Sequence, residues 1–136
     1  MAYKFLEHQA DVGILGIGDT IEESFQESAK AMFEIMFNLK KIKIKKSIKI
    51  KVKADSQENL FIEFLNELLA QADLKEMAFS DFEVKIKNNN LECSAKGEKI
   101  DLKKHEIKTE VKAATYSGLK VEKKVKKFYS QCVLDV

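Results

Sequence analysis

Two aspartates near opposite ends of the chain can hold a cation if the fold brings them together. Asp11 lies in the stretch Glu7–Ile14, and Asp135 is followed only by Val136. Because Asp135 stands beside the terminal carboxylate of Val136, convergence with Asp11 places three carboxylates at one point. Such a cluster is unfavourable unless it is protonated or neutralised, and a hard divalent ion with oxygen ligands is a suitable neutraliser. The alternative for Asp11 is a turn residue, because Asp is common in turns.

Other polar residues are also candidates for a chemical role, and each has a structural alternative. His8 suits a ligand, a base or a buried hydrogen-bonding residue, and His105 lies in a polar stretch where a structural role is the simpler interpretation. Asp19 precedes Thr20, so its charge also favours the positive end of the helix that begins there. Lys112 lies among small apolar residues, where it can reach a phosphate, pair with an acid or remain an ordinary surface lysine.

The elements that position these residues follow from periodicity and end signals. Thr20 and Glu23 form a capping-box pattern that predicts a helix start. Asn88, Asn89 and Asn90 predict a hairpin turn, because Asn tolerates positive φ. The predicted elements are strands at 3–6, 12–17, 42–52, 82–87, 91–96, 111–121 and 125–134, helices at 21–38 and 57–72, and a loop at 98–110.

The strand predicted at 42–52 alternates isoleucines or valine with lysines, so one face is apolar and the other is basic. Two interpretations of the lysine face remain open. It is either a nucleic-acid groove or a solvated sheet face whose lysines discourage edge-to-edge pairing.

These elements predict an α+β fold, a two-layer sandwich with a mostly antiparallel sheet packed by two main helices. The chain has 136 residues and 45% hydrophobic content, and no linker interrupts it, so residues 1–136 are expected to form a single domain.

Composition narrows the function classes. The net charge is only +2, and all 24 basic residues are lysines, which argues against a strong nucleic-acid field. Cys93 and Cys132 lack metal-binding spacing and are expected to be reduced, partly buried thiols. No signal peptide or membrane-spanning run is visible, which predicts a soluble cytoplasmic protein without a membrane partner. Nucleophile-elbow, Walker, zincin and Rossmann motifs are absent from the sequence.

Several segments together resemble the archease family, the small proteins that activate RtcB-type RNA ligases. The similarity covers almost the whole chain, and the segments occur in the family's order. They are EHQADVGI at 7–14, GIGDTIEESF at 16–25, LFIEFLNELL at 60–69, GE at 97–98, VKAATY at 111–116 and VLDV at 133–136. Gln9 departs from the family's usual Thr, and Ser117 stands where many members have His.

The resemblance implies a divalent cation site, with calcium as the ion bound in the family. It also implies a set of residues that support ligase activation. The implied cation ligands are Asp11, Asp135 and Val136, the last through main-chain or terminal oxygens, and the implied activation residues are Glu7, Asp19 and Lys112.

The function implied by the resemblance is that of an accessory factor and not an enzyme. It promotes guanylylation and multiple turnover of an RtcB-type RNA ligase in tRNA splicing or RNA repair, and it influences which nucleotide cofactor the ligase accepts. The partner ligase uses GTP, and association with tRNA is expected to be indirect. One alternative is a general chaperone or interaction module for RNA-modifying proteins. A second is a metal-dependent hydrolase with His8 as its base.

Overall fold

The computed structural model of the chain describes residues 1–8 and 11–136, and for Glu7 and His8 it describes the backbone alone. Two α-helices and mostly antiparallel sheets confirm the predicted α+β class. The elements are β1 (Ala2–His8), β2 (Asp11–Gly18), α1 (Ile21–Met36), a 3₁₀ turn (Leu39–Lys41), β3 (Lys46–Lys53), α2 (Gln57–Lys75), β4 (Met77–Lys87), β5 (Asn90–Lys99), β6 (Ala113–Ala114), β7 (Lys120–Lys124) and β8 (Lys127–Asp135).

The strands divide between two sheets, a division that the sequence pattern does not reveal. In the larger sheet β2 lies between β1 and β8, and the other edge of β8 pairs with β6 and β7. The smaller sheet has the order β3-β5-β4. All strand pairs within the described residues are antiparallel. Strand β8 therefore runs through the larger sheet with partners on both edges.

Both helices contact both sheets and supply much of the aromatic core. Helix α1 packs against β2, β8 and β4, and α2 packs against β3, β4 and β6. The rings of Phe25 in α1 and Phe61 in α2 lie 5.0 Å apart, centre to centre. Phe33 of α1 lies 5.5 Å from Phe79 of β4. All four side chains are fully buried, so the two sheets share one hydrophobic core.

Small residues let α1 approach the larger sheet closely. The hydroxyl groups of Ser24 and Ser130 are hydrogen-bonded at 2.7 Å, and Ser28 Oγ donates to the carbonyl of Ser130 at 2.8 Å. A Cβ built on Gly16 would overlap with the carbonyl oxygen of Ser24. Strand β2 therefore needs glycine at this position for the helix to pack against it.

The capping geometry confirms the predicted starts of both helices. Thr20 Oγ1 accepts a hydrogen bond from the Glu23 N–H at 3.1 Å, and Glu23 accepts in turn from the Asp19 N–H at 3.1 Å. Ser56 caps α2 in the same way, through the Asn59 N–H. The first helix ends at Met36, two residues before its predicted end.

The strand predicted at 42–52 begins later than its alternating pattern indicates. Residues Leu39–Lys41 form a 3₁₀ turn, and the Lys43 N–H donates to Glu98 at 2.7 Å instead of joining a sheet. Pairing with β5 starts only at Lys46. The later lysines of β3 are exposed and Ile50 is buried, as the alternation predicts.

The hairpin at the asparagine run is confirmed and is longer than predicted. Asn88 and Asn89 have φ values of 51° and 59°, as a two-residue turn of type I′ requires. The flanking strands extend to Met77 on one side and Lys99 on the other, beyond the predicted bounds at residues 82 and 96.

The single strand predicted at 111–121 is wrong. The chain pairs briefly as β6, turns through Ser117 and Gly118, and resumes as β7 at Lys120. Gly118 has a φ of 63°, which interrupts an extended strand. The turn between β7 and β8 falls at Val125-Lys126 and not at the predicted 122–124.

Both cysteines are free and buried, which agrees with the predicted reduced thiols. Burial raises the pKa of the Cys93 thiol and of the Cys132 thiol to about 12. Buried thiols of this kind are poor nucleophiles because they are not ionised. None of the described helices has the length and apolar character needed to cross a membrane.

Candidate functional site

The pairing of β2 with β8 brings the two predicted aspartates together. Val12 lies opposite Leu134, and the same register one residue further along places Asp11 opposite Asp135. Directly opposite side chains in an antiparallel pair point to one face, with Cβ atoms about 5 Å apart. Asp135 is exposed and Asp11 is partly exposed, so the two carboxylates face an accessible edge of the sheet.

Strand β6 completes this end of the sheet on the other edge of β8. Ala113 lies opposite Asp135, and the Lys112 N–H donates to the Asp135 carbonyl at 2.8 Å. Lys112 and Val136 each lie one residue beyond the last pair of this ladder. We call the four residues Asp11, Lys112, Asp135 and Val136 the strand-end cluster.

Lys112 extends the strand-end cluster toward a cavity. Asp135 and Asp11 share one face of the sheet by the β2–β8 register, whereas Lys112 and Val136 lie just outside the strands. Lys112 is exposed and lines an open cavity of about 620 Å³ whose walls include Asn66 and Val111. The lysine thus lies between the carboxylate edge and this cavity.

The donor chemistry of the strand-end cluster fits a hard divalent cation. Two aspartates directly opposite each other repel, and a cation between them removes that repulsion. Carboxylate and main-chain oxygens are the ligands that calcium prefers, and water completes its shell. Among residues 1–6 and 11–136, whose side chains the structure describes, no group of three or more His, Cys, Asp or Glu side chains is placed to hold a metal. Main-chain oxygen, such as that of Val136, and water are the further ligands that would join Asp11 and Asp135 around a cation.

Glu7 and His8 approach the same end of the sheet through their backbone. Glu7 pairs with Val12 and His8 pairs with Asp11 across the β1–β2 ladder. The side chains of Glu7 and His8, and all of Gln9, lie outside the described residues. The activation role that the resemblance implies for Glu7 and the base role considered for His8 remain predictions.

Asp19 lies at the other end of β2, away from the strand-end cluster. It follows Gly18, so about eight residues of extended chain, about 26 Å, separate it from Asp11. Its exposed carboxylate accepts a hydrogen bond from Lys127, and this bond lowers the pKa of the Asp19 carboxyl. The structure therefore does not bring Asp19 together with Asp11 and Asp135.

The sequence pattern did not predict a cluster of hydrogen bonds around the buried carboxylate of Glu98. Glu98 accepts hydrogen bonds from Lys104 at 2.7 Å, from the Lys43 N–H at 2.7 Å and from His105 at 3.0 Å. Burial alone would raise the pKa of Glu98, but these hydrogen bonds outweigh it and lower the pKa to about 2. The cluster anchors the segment between β5 and β6, which leads to Lys112. Glu98 and His105 lie seven residues apart in sequence, a spacing with no local signature.

The fold and the strand-end cluster define a class of protein: a small antiparallel α+β protein with an acidic, oxygen-rich sheet end. Comparisons with known proteins name the family within that class. Residues 3–136 match the model of the Archease protein family. Protein archease of Pyrococcus abyssi is 43% identical over 125 residues, which cover 89% of this chain and 88% of that relative. Protein archease of Sulfurisphaera tokodaii is 39% identical over 136 residues, 98% of each chain.

Solved structures agree with this assignment. The solution structure of protein 1598 from Methanobacterium thermoautotrophicum has a TM-score of 0.86 at 29% identity and covers 99% of both chains. A crystal structure described as an archease, possible chaperone, from Thermotoga maritima has a TM-score of 0.63 at 23% identity, covers 98% of this chain and 96% of that one, and supports the fold alone. The chain belongs to the Archease protein family.

Proposed function

We propose that this protein is an accessory factor, not an enzyme, that activates an RtcB-type RNA ligase in tRNA splicing or RNA repair. It promotes guanylylation of the ligase and repeated turnover with GTP, and it influences which nucleotide cofactor the ligase accepts. The observation that supports the proposal most directly is the register that sets Asp11 opposite Asp135. Continued beyond the pair of Val12 and Leu134, this register supports a carboxylate pair at one accessible edge, as the family resemblance implies.

In this proposal the strand-end cluster holds a divalent cation, with calcium as the expected ion. Asp11 and Asp135 supply carboxylate oxygens, and Val136 supplies main-chain oxygen. A bound cation adds positive charge that neutralises nearby phosphates. Lys112 adds a further positive charge beside the same edge, where it contacts anionic groups of the ligase or its nucleotide.

The chain's own residues activate the ligase by binding one of its conformations better than another. A partner that contacts two conformations with different free energy shifts their populations toward the better-bound one. The strand-end cluster, with Glu7 nearby in the backbone ladder, provides the contact surface. Asp19 lies too far away to join that contact, so any support it gives to activation acts through a second contact with the ligase.

The test is multiple-turnover RNA ligation by an RtcB-type ligase from the same organism, with GTP, a divalent metal and substoichiometric amounts of this protein. The unaltered protein is expected to raise product beyond one RNA joined per ligase. Asp135→Asn and Lys112→Ala are expected to lose most of this stimulation. Glu63→Gln and Lys126→Ala remove comparable charges at exposed positions away from the strand-end cluster and are the matched controls.

Two results would contradict the proposal. An active ligase that gains nothing from the unaltered protein removes the activator role. Stimulation that survives both Asp135→Asn and Lys112→Ala removes the strand-end cluster as the activating site.

A general chaperone or interaction module is the second candidate function. Exposed apolar side chains support it, because Leu74 and Leu102 are 73% and 75% exposed and Ile107 is 52% exposed. The Thermotoga maritima structure is also described as a possible chaperone. This function predicts reduced aggregation of unrelated client proteins, and the same effect from the Asp135→Asn variant.

A further inference from the structure

Asn66, midway along α2, binds both backbone groups of one residue in β6. Its Oδ1 accepts a hydrogen bond from the Ala114 N–H at 2.8 Å, and its Nδ2 donates to the Ala114 carbonyl at 3.1 Å. The side-chain amide thus makes the two contacts that a neighbouring strand would make. No local pattern indicates this contact, because Asn66 lies inside a helical pattern.

The register explains why Ala114 presents both groups to α2. The Thr115 N–H donates to the Val133 carbonyl at 3.0 Å, so the bond between β6 and β8 at this point is made by Thr115 and not by Ala114. The adjacent pair, Ala114 and Leu134, is therefore of the non-hydrogen-bonded kind, with the N–H and C=O of each residue directed away from the other strand. Ala114 is 5% exposed, so these groups need a protein partner.

Strand β6 in turn holds the end of β8. The Lys112 N–H binds the Asp135 carbonyl, as described above, and Ala113 lies opposite Asp135. The segments on both sides of β6 are anchored elsewhere. The Lys108 N–H donates to the Met36 carbonyl at 2.9 Å, and the Val133 N–H donates to the Ser117 carbonyl at 3.0 Å. Asn66 therefore acts on the short stretch that carries Lys112 and borders Asp135.

We propose that Asn66 is a positioning residue for the strand-end cluster: through Ala114 it fixes β6 and thereby sets the position of Lys112 and Asp135 for cation binding. This inference rests on the cation site of the proposed function. The role needs both halves of the side-chain amide, one as acceptor and one as donor, which separates it from simple packing.

The first measurement is amide hydrogen exchange, expressed as protection factors. Asn66→Leu keeps the branched shape and the number of side-chain heavy atoms but removes both hydrogen bonds. It is expected to lower protection of the Lys112 and Ala114 amides roughly tenfold or more, the scale of a lost buried hydrogen bond, with the Ile14 amide in β2 unchanged. Asn59→Leu on the same helix is the matched control, because the only side-chain hydrogen bond that the Asn59 amide makes among the described residues is to Asp55.

Asn66→Asp supplies a second, chemically specific test. The ionised carboxyl can accept from the Ala114 N–H but cannot donate to the Ala114 carbonyl, whereas the protonated carboxyl can do both. Protection of the Lys112 amide is therefore expected to be low near neutral pH and to recover as the pH falls. A packing role alone predicts no such recovery.

The second measurement is calcium titration by calorimetry, with Asp11→Asn as the variant expected to abolish binding. Asn66→Leu is expected to weaken calcium binding roughly tenfold, and Asn59→Leu to leave it unchanged. Unchanged protection at Lys112, a uniform loss of protection throughout the chain, or unchanged calcium affinity in Asn66→Leu each overturns the inference. Failure of the unaltered protein to bind calcium would overturn the cation site itself, and this role for Asn66 with it.

Discussion

The His105 Nε2–H donates a hydrogen bond to the buried carboxylate of Glu98 across 3.0 Å. The tautomer follows from the other ring nitrogen, because Nδ1 accepts from the Asp101 N–H at 2.9 Å. Both side chains are nearly inaccessible to solvent, at 1% for His105 and 6% for Glu98. The imidazole is therefore a neutral donor, and Lys104 supplies the cation that faces Glu98 at 2.7 Å.

Removing the charge of Glu98 should destabilise the fold. Glu98→Gln replaces a carboxylate that accepts charge-assisted hydrogen bonds with an amide that must present a donor to one of its partners. The expected loss is about 2 kcal/mol in the free energy of unfolding, measured by urea denaturation. Glu92→Gln is the control, since Glu92 lies in the same strand with an exposed ion pair to Lys51 and should change stability by less than about 1 kcal/mol. Equal losses of stability in the two variants would show that the buried cluster stabilises the fold no more than an exposed ion pair does.

The same carboxyl should make stability depend on acid pH. The folded protein holds the pKa of Glu98 at about 2, below its usual value of 4.5. A depressed folded-state pKa stabilises the fold fully above pH 4.5, and this contribution is lost as the pH falls toward 2. The stability difference between the unaltered protein and Glu98→Gln should therefore shrink across that window. Urea denaturation at several pH values measures it, and a constant difference would contradict the assignment.

The effect of removing the Asp11 charge on stability should change sign between chelator and calcium. In a chelator, Asp11→Asn should stabilise the protein by about 0.5 kcal/mol, because like charges directly opposite in a sheet repel. With calcium, the unaltered protein should gain stability by mass action and the variant should not. Thermal unfolding with and without calcium measures both effects, and Glu63→Gln should alter neither. Destabilisation by Asp11→Asn in chelator would argue against the opposed pair.

Gly16 should tolerate no side chain. Gly16→Ala places a methyl group against the backbone of α1 at Ser24, where no flexible side chain can move aside. The expected loss is about 3 kcal/mol in the free energy of unfolding, measured by urea denaturation. Gly118→Ala is the comparison, because its Cβ meets only Val133 at 3.6 Å and the strain comes from its φ of 63°. That variant should lose about 1 kcal/mol.

The native protein should resist thiol reagents. Cys93 and Cys132 are 1% and 2% exposed, and burial raises the pKa of both thiols to about 12. A chromogenic disulfide reagent should therefore label neither thiol in the folded state and both in denaturant. Rapid labelling of one thiol under native conditions would indicate local opening of its strand.

Local signals predicted most of the helices and strands. The division into two sheets and the register between distant strands depend on long-range pairing, which local signals do not specify. Thr20 caps α1 as its capping box predicts, and the asparagine turn closes the predicted hairpin, because each depends on residues a few positions apart. The pairing of β2 with β8 joins residues such as Ile14 and Cys132, and no local pattern specifies that register. The convergence of Asp11 and Asp135 was therefore a conditional prediction, and β6 was too short to carry a period-two signal.

The order of the strands along the chain has a consequence for biosynthesis. The smaller sheet is made from β3, β4 and β5, which are close in sequence, whereas the larger sheet closes only when β8 joins β2. Pairings across such long sequence separations form slowly, and a chain emerging from the ribosome must wait for β8. The strand-end cluster is thus among the last features to assemble. A partner that recognises it selects molecules in which β8 has already paired with β2.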